Sequence, residues 1–299
     1  MKKIVASVTS EAIRQSYKKL DVDVDRFLRE IEKFDLVEDE AGLRRWDPCV
    51  PGDGKFYEQL SIHPWYYAIE KDEFAIARKL IGRASVLEVG CGSGFFADGA
   101  SCSAYVGLEL NGHAASQARA KGHDVREVLF NEYADEHPAS VDVVCSFQVL
   151  EHLIDPAEYF LDALKVLKHG GRIVTSVPSE DSFVGSIFDN PLNAPPHHLT
   201  RWSDQALRAF PLSLGIDCID IIHLPVEQQH YRWFWASLLR RGMLENDSAD
   251  GIGPVSRIAK LKTKMAMTAL SALGFNFTIP KDFHIPGHTV MAIHKKQDV

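Results

Sequence analysis

The chain has 299 residues, 45% hydrophobic and 25% charged, with a formal net charge of −8, the make-up of a folded globular chain rather than a disordered one. With no long basic run it is not expected to bind DNA or RNA, because neutralising phosphates takes clustered Lys and Arg. Cys49, Cys91, Cys102, Cys145 and Cys218 are odd in number and scattered without a C-x-x-C pair, so neither a disulfide framework nor a bound metal is expected.

Residues 1–20 lack the apolar core of a signal peptide, and no apolar run is long enough to span a bilayer, so a cytoplasmic protein is expected. Residues 10–20 and 25–37 read as two short polar helices, the second with Phe27, Ile31 and Phe34 on one stripe. Pro48, Pro51, Gly52 and Gly54 make 38–55 a loop. Residues 56–67 are dense in aromatics and lead into a helix running to Lys79. That segment reads as plain packing, or as Tyr57, Trp65 or Tyr67 closing over a ligand with an apolar body and a polar tip. A helical N-terminal cap over 1–82 is the expectation.

From Ala84 strands and helices alternate, the pattern of a parallel sheet covered on both faces. Ala84 to Val89 is an apolar strand, and Gly90, Gly92 and Gly94 follow at alternate positions before helix-compatible Phe95. Glycine tolerates positive φ and has no Cβ, so a ligand can lie on this turn beside free helix N–H groups. The dinucleotide pattern needs glycine where this chain has Phe95, which argues against a nicotinamide enzyme. The second strand, 103–110, ends in Glu109 and Leu110, and an acid at that place accepts hydrogen bonds from ribose hydroxyls.

A helix over 112–121 leads to a strand at 124–129, followed by Phe130 and Asn131. The fourth strand, 141–147, runs through Phe147 and Gln148 into Leu150-Glu151-His152-Leu153-Ile154-Asp155-Pro156. A helix over 157–168 is expected to end on Gly170-Gly171, and a fifth strand spans 172–177. Pro195 and Pro196 then stiffen the chain before His197 and His198, on a loop beyond the strands' carboxyl ends where ligands bind. These histidines either face an acceptor or pack against the helix beginning at Ser203. A sixth strand, 216–224, and a last one, 288–294, enclose a helical insertion, 228–286. In it, 231–241 and 256–273 read as helices and 245–253 as a polar loop. Ile258, Leu261, Met265, Ala269 and Ala272 share a face of the second helix, beside Arg257, Lys260, Lys262 and Lys264. That face is expected to cover an acceptor pocket or a subunit interface, or to touch a membrane surface peripherally without inserting.

The segment Glu88-Val89-Gly90-Cys91-Gly92-Ser93-Gly94 resembles the first motif, E/D-x-G-x-G-x-G, of the class I S-adenosylmethionine-dependent methyltransferases. The fourth-strand segment is similar to F-D-V-V…L-E-H-x-x-D-P, with Val141 for the leading Phe, and residues 195–202 to P-P-H-H-L-x-x-W, as in the ubiquinone-type O-methyltransferases. The resemblance covers about 56–224 and the final strand. It implies an α/β fold with a Rossmann-like, seven-stranded, mostly parallel sheet whose last strand is antiparallel, over 83–227 and 287–299. It implies S-adenosyl-L-methionine as cofactor, held by Glu88, Gly90, Cys91, Gly92, Gly94, Glu109, Leu110, Phe130, Asn131, Phe147, Gln148 and Tyr67. Many relatives place an acid after the third strand for adenine, whereas this chain offers only Asn131 or backbone there. The implied reaction is methyl transfer to a hydroxyl oxygen of a small molecule or sugar, with His197 or His198 as base and His152 nearby, structural or catalytic. A carbon or nitrogen acceptor, a nicotinamide oxidoreductase and a non-catalytic cofactor binder are the alternatives, and the chain is expected to be a monomer or homodimer.

Overall fold

The structure, a computed structural model, describes residues 3–63, 66, 71–185, 187, 190–244, 257–279 and 285–296, with backbone alone at 241–244 and 257–260. The chain opens with β1 (Lys3–Thr9), α1 (Ser10–Lys18), β2 (Lys33–Glu38) and β3 (Arg44–Asp47). β1 pairs antiparallel with β2, and β2 with β3. The alternation that makes them strands is plain: Ala6 and Val8 of β1, and Phe34 and Leu36 of β2, are buried at every second position. The first expected helix forms as α1, with Thr9 capping it by accepting from the Ala12 N–H at 3.2 Å. The second does not form. Asp25–Phe27 is a single 3-10 turn, and Phe34 is buried from a strand rather than from a helical stripe. Three strands thus join the helices expected over 1–82. α2 (Gly54–Ser61) starts where the Asp53 side chain accepts from the Phe56 N–H, and α3 (Asp72–Ile81) follows.

The second sheet is built from β4 (Ser85–Val89), α4 (Phe95–Asp98), β5 (Ala104–Leu108), α5 (Gly112–Ala120), β6 (Val125–Arg126), α6 (Phe130–Glu136), β7 (Val141–Phe147), α7 (Pro156–Val166) and β8 (Leu167–Pro178). After these come β9 (Thr200–Arg201), α8 (Asp204–Leu212), β10 (Ile216–Pro225), α9 (Tyr231–Leu244), α10 (Arg257–Ala272) and β11 (Pro286–Lys296). The sheet order is β10-β11-β8-β7-β4-β5-β6, parallel from β8 to β6, with β11 antiparallel to β8 and β10. This is the expected seven-stranded sheet. The chain turns back between β4 and β7, so a crevice opens beyond their carboxyl ends.

Two local expectations change, and the orientation of α10 is new. The third strand shrinks to Val125–Arg126 because α6 begins at Phe130. Gly170 and Gly171 lie inside β8 and cap nothing, since α7 stops at Val166 and passes directly into the strand. On α10, Leu261 and Met265 are 59% and 64% exposed, whereas Thr263 and Met267 are buried. The apolar face is turned away from the fold, as an interface or membrane contact would have it, and α10 seats its other side against α9. The loop 245–253 lies outside the described residues.

One further strand joins the halves of the chain. β9 leaves the loop after β8 and pairs with β3, extending the first sheet to β1-β2-β3-β9.

Candidate functional site

The turn after β4 has Gly90, Gly92 and Gly94 all in the left-handed region, at φ +73°, +55° and +79°. Side chains there are strained, which is why the sequence keeps glycine. A Cβ on Gly90 would come 2.7 Å from Val149 Cγ2, and one on Gly94 2.8 Å from His123 Cδ2, whereas one on Gly92 would meet nothing within 4 Å. The open side of Gly92 is the room a ligand would use.

Glu109, just past β5, is fastened to this turn. Its Oε2 accepts from the Gly92 N–H at 2.9 Å and its Oε1 from the Asn111 N–H at 2.7 Å. Each oxygen keeps a second lone pair for a hydroxyl. The nucleoside end of S-adenosylmethionine therefore fits this place: open glycine backbone beside a fixed carboxylate. Glu88 stands behind the cradle. It is buried and accepts from the Tyr105 hydroxyl at 2.5 Å, and burial pushes its carboxyl up to about 8. Cys91 likewise turns its thiol inward, where burial raises its pKa, so only its backbone belongs to the turn.

The other expected cofactor residues separate. Leu110 is 63% exposed and Asn131 is exposed at the start of α6, where Phe130 packs on Tyr159 at 5.5 Å between ring centres. Phe147 is a core residue, edge-on to Phe74 at 5.1 Å and tilted against Phe96 at 4.9 Å. Gln148 does stand at the strand end with φ +59°, and donates from Nε2 to Glu73 Oε2 at 3.0 Å. Glu73, buried on α3 and also bonded to the Ser176 hydroxyl, was missed by the sequence reading because nothing in a helical acid's spacing reveals its burial. Tyr67 lies outside the described residues.

The three histidines come together. Ring centres are 4.6 Å apart for His152 and His197, 5.0 Å for His152 and His198, and 4.5 Å for the stacked pair His197 and His198. His152 follows β7 on the 3-10 turn Leu150–His152, and the other two arrive on the loop before β9. The two segments are tied by the Leu199 N–H to the Glu151 carbonyl at 2.7 Å and the Thr200 hydroxyl to the Leu150 carbonyl at 3.1 Å. Farther along, buried Arg201 bonds Glu180 at 2.6 Å, and Arg44 of β3 bonds the same carboxylate. Proline before the pair and an ion cluster after it thus fix where the imidazoles sit.

The tautomers follow from the partners, because carbonyl oxygens only accept. His152 donates from Nδ1 to the His197 carbonyl at 2.7 Å, His197 from Nδ1 to the Leu192 carbonyl at 2.9 Å, and His198 from Nδ1 to Asn193 Oδ1 at 3.3 Å. Each Nε2 then carries a bare lone pair. That of His197 accepts from the Tyr66 hydroxyl at 3.0 Å, whereas those of His152 and His198 both face Glu151. Burial pushes His152 down to about 4 and the other two well below the ordinary histidine value, so all three are neutral at neutral pH. Glu151 belongs to this cluster too. The motif showed its position next to His152, but only the fold shows that its carboxylate is buried.

Comparison with known proteins agrees with this geometry. A family model described as a methyltransferase domain matches residues 66–246. A probable S-adenosylmethionine-dependent methyltransferase of Mycolicibacterium smegmatis is 35% identical over 161 residues, covering 53% of this chain and 61% of that protein. A ubiquinone biosynthesis O-methyltransferase of Vibrio atlanticus is 30% identical over 155 residues, covering 49% and 60%. The match thus spans about three-fifths of these relatives' length. A crystal structure of a SAM dependent methyltransferase from Archaeoglobus fulgidus superposes with a TM-score of 0.50 at 19% identity, over 82% of this chain and 100% of that one, a likeness of fold. Since the family model matches more than half of the sequence, the chain belongs to the methyltransferase-domain family.

Proposed function

We propose that the protein is an S-adenosylmethionine-dependent methyltransferase acting on a hydroxyl oxygen of a small molecule or sugar, with a neutral histidine as proton acceptor. The observation that carries the reading is the bond between Glu109 and the Gly92 N–H, which joins the ribose acid to the glycine turn in one place. The names of the relatives, one of them an O-methyltransferase, support it.

When bound, the cofactor supplies a methyl group already activated on a sulfonium, so the protein's task is chiefly alignment. Glu109 would hold the ribose hydroxyls, and the turn from Gly90 to Gly94 would lie under the nucleoside and methionine portions. A hydroxyl becomes nucleophilic as its proton leaves. The bare Nε2 atoms of His152 and His198 are the acceptors for that proton; His197 is the weaker candidate because Tyr66 already occupies its Nε2. Segments 1–82 and 228–286 would cover the acceptor and select it.

Labelled methyl transfer to a panel of hydroxylated acceptors, at saturating cofactor, tests the chemistry. His152→Gln and His198→Gln are expected to lower turnover by about 100-fold or more, and His197→Gln by less. Full activity in all three would remove histidine from the chemistry.

A further inference from the structure

α9 and α10 are basic helices on an acidic chain. Together they carry seven Lys and Arg and no Asp or Glu. Residues 228–286 as a whole have eight basic residues against four acidic ones, although the net charge of the chain is −8. On α10, Leu261, Met265, Ala269 and Ala272 are all exposed, and steps of four, four and three residues put them on one face. Lys262 and Lys264, exposed as well, stand on opposite flanks of that face, since each residue advances the helix by about 100°. Leu273, just past the helix, is 83% exposed. The opposite side of α10, with Thr263 and Met267, is buried, and its principal contact is α9. An apolar stripe between lysines is thus left over after the helix has packed.

Charge and shape decide between the occupants of such a face. A two-fold dimer through α10 sets the same patch against itself, so lysine would face lysine with no acid in either helix to relieve it. Nucleic acid matches the lysines but offers nothing to Leu261 and Met265, because phosphates line its surface. A protein groove that wraps a basic amphipathic helix needs more of its circumference than α10, seated on α9, leaves open. An anionic bilayer matches everything: acidic headgroups meet the ammonium groups, the acyl boundary receives the apolar stripe, and the lysine stems lie along it. At sixteen residues, α10 is about 24 Å long, and no described helix is long and apolar enough to cross a membrane. α10 suits the plane of the interface. We propose that its outward face, with Leu273 at the end, docks the protein on the surface of an anionic lipid bilayer. Docking of this kind is independent of methyl transfer.

The full chain is mixed with vesicles of phosphatidylcholine alone and of phosphatidylcholine with about 30% phosphatidylglycerol, and bound protein is measured by flotation at about 0.1 M and about 0.5 M salt. Strong partition is expected only on the anionic vesicles at the lower salt. Lys262→Gln with Lys264→Gln should weaken it by about 20-fold, roughly fivefold for each charge near the surface. Leu261→Ser with Met265→Ser should weaken it by at least about tenfold. All four side chains are exposed, so both double variants should keep the wild-type unfolding midpoint, which is measured alongside. Wild-type protein that stays in solution with anionic vesicles overturns the proposal, as does equal binding to both kinds of vesicle. So does binding that is lost with the lysines but unchanged without Leu261 and Met265, the signature of a purely electrostatic partner. Self-association in the absence of lipid, abolished by Leu261→Ser with Met265→Ser, would assign the face to a second copy of the chain and overturn it too.

Discussion

Gly92 and Gly94 share a motif and a backbone conformation but differ in what surrounds them. A methyl group on Gly92 meets open space, whereas on Gly94 it strikes His123. Gly92→Ala should therefore cost only about 1–2 kcal/mol in urea unfolding, the charge for a left-handed backbone. It should nonetheless weaken S-adenosylhomocysteine by more than tenfold, because the methyl fills ligand space. Gly94→Ala should cost more in stability. Glu88 offers a second single-residue test. Its carboxyl titrates at about 8 rather than its ordinary 4.5, so the folded state keeps a proton that the unfolded chain has lost between those values. Wild-type stability from this group falls as pH rises across that window. Glu88→Gln, neutral throughout, should gain on wild type between pH 5 and 8 by on the order of a few kcal/mol, read from paired unfolding curves. At this scale the sequence put Glu109 near the glycine turn, and the structure has it bonded to the Gly92 N–H. The sequence could not show that Phe147 points into an aromatic core or that Glu88 and Cys91 turn away from the cradle, because strand position does not say which face a residue takes.

The decisive element is β9, two residues long. It anchors the histidine loop to the first sheet, and Arg201 within it is 3% exposed and paired with Glu180, which is itself buried. Arg201→Met leaves Glu180 with Arg44 alone and should cost about 3 kcal/mol in urea unfolding. Phe147→Ala, which opens a hole between Phe74 and Phe96, should cost about 3–5 kcal/mol. So short a strand carries no periodicity and was not legible. β2 was misread as part of a helix: Phe34 and Leu36 alternate with polar or less buried neighbours, but the stripe of Phe27, Ile31 and Phe34 mimics a helix over a longer window. The strands β4, β5 and β7 read well because parallel strands covered on both faces are continuously apolar, whereas β6 and the start of β8 did not.

Across the molecule, one sheet carries the glycine turn and the other, through β9, carries the loop with His197 and His198. The parallel part of the sheet was legible from strand and helix alternation, whereas the count of seven and the antiparallel last strand came with the family resemblance, for which 288–294 supplied an apolar segment. What joins the two sheets was not legible, since the pairing of β3 with β9 spans more than 150 residues and depends on packing rather than on local pattern. α10 shows the same limit: its apolar stripe was read correctly, but a stripe cannot say whether it faces in or out, and Leu261 and Met265 face out. The central claim is that the glycine turn and Glu109 form one S-adenosylmethionine site. Calorimetric titration of wild type and Glu109→Gln with S-adenosylhomocysteine tests it most directly. The account predicts one site per chain, weakened at least about tenfold in the variant, the worth of a hydrogen bond to a charged group. No binding by wild type, or saturable binding of NAD in its place, would contradict it.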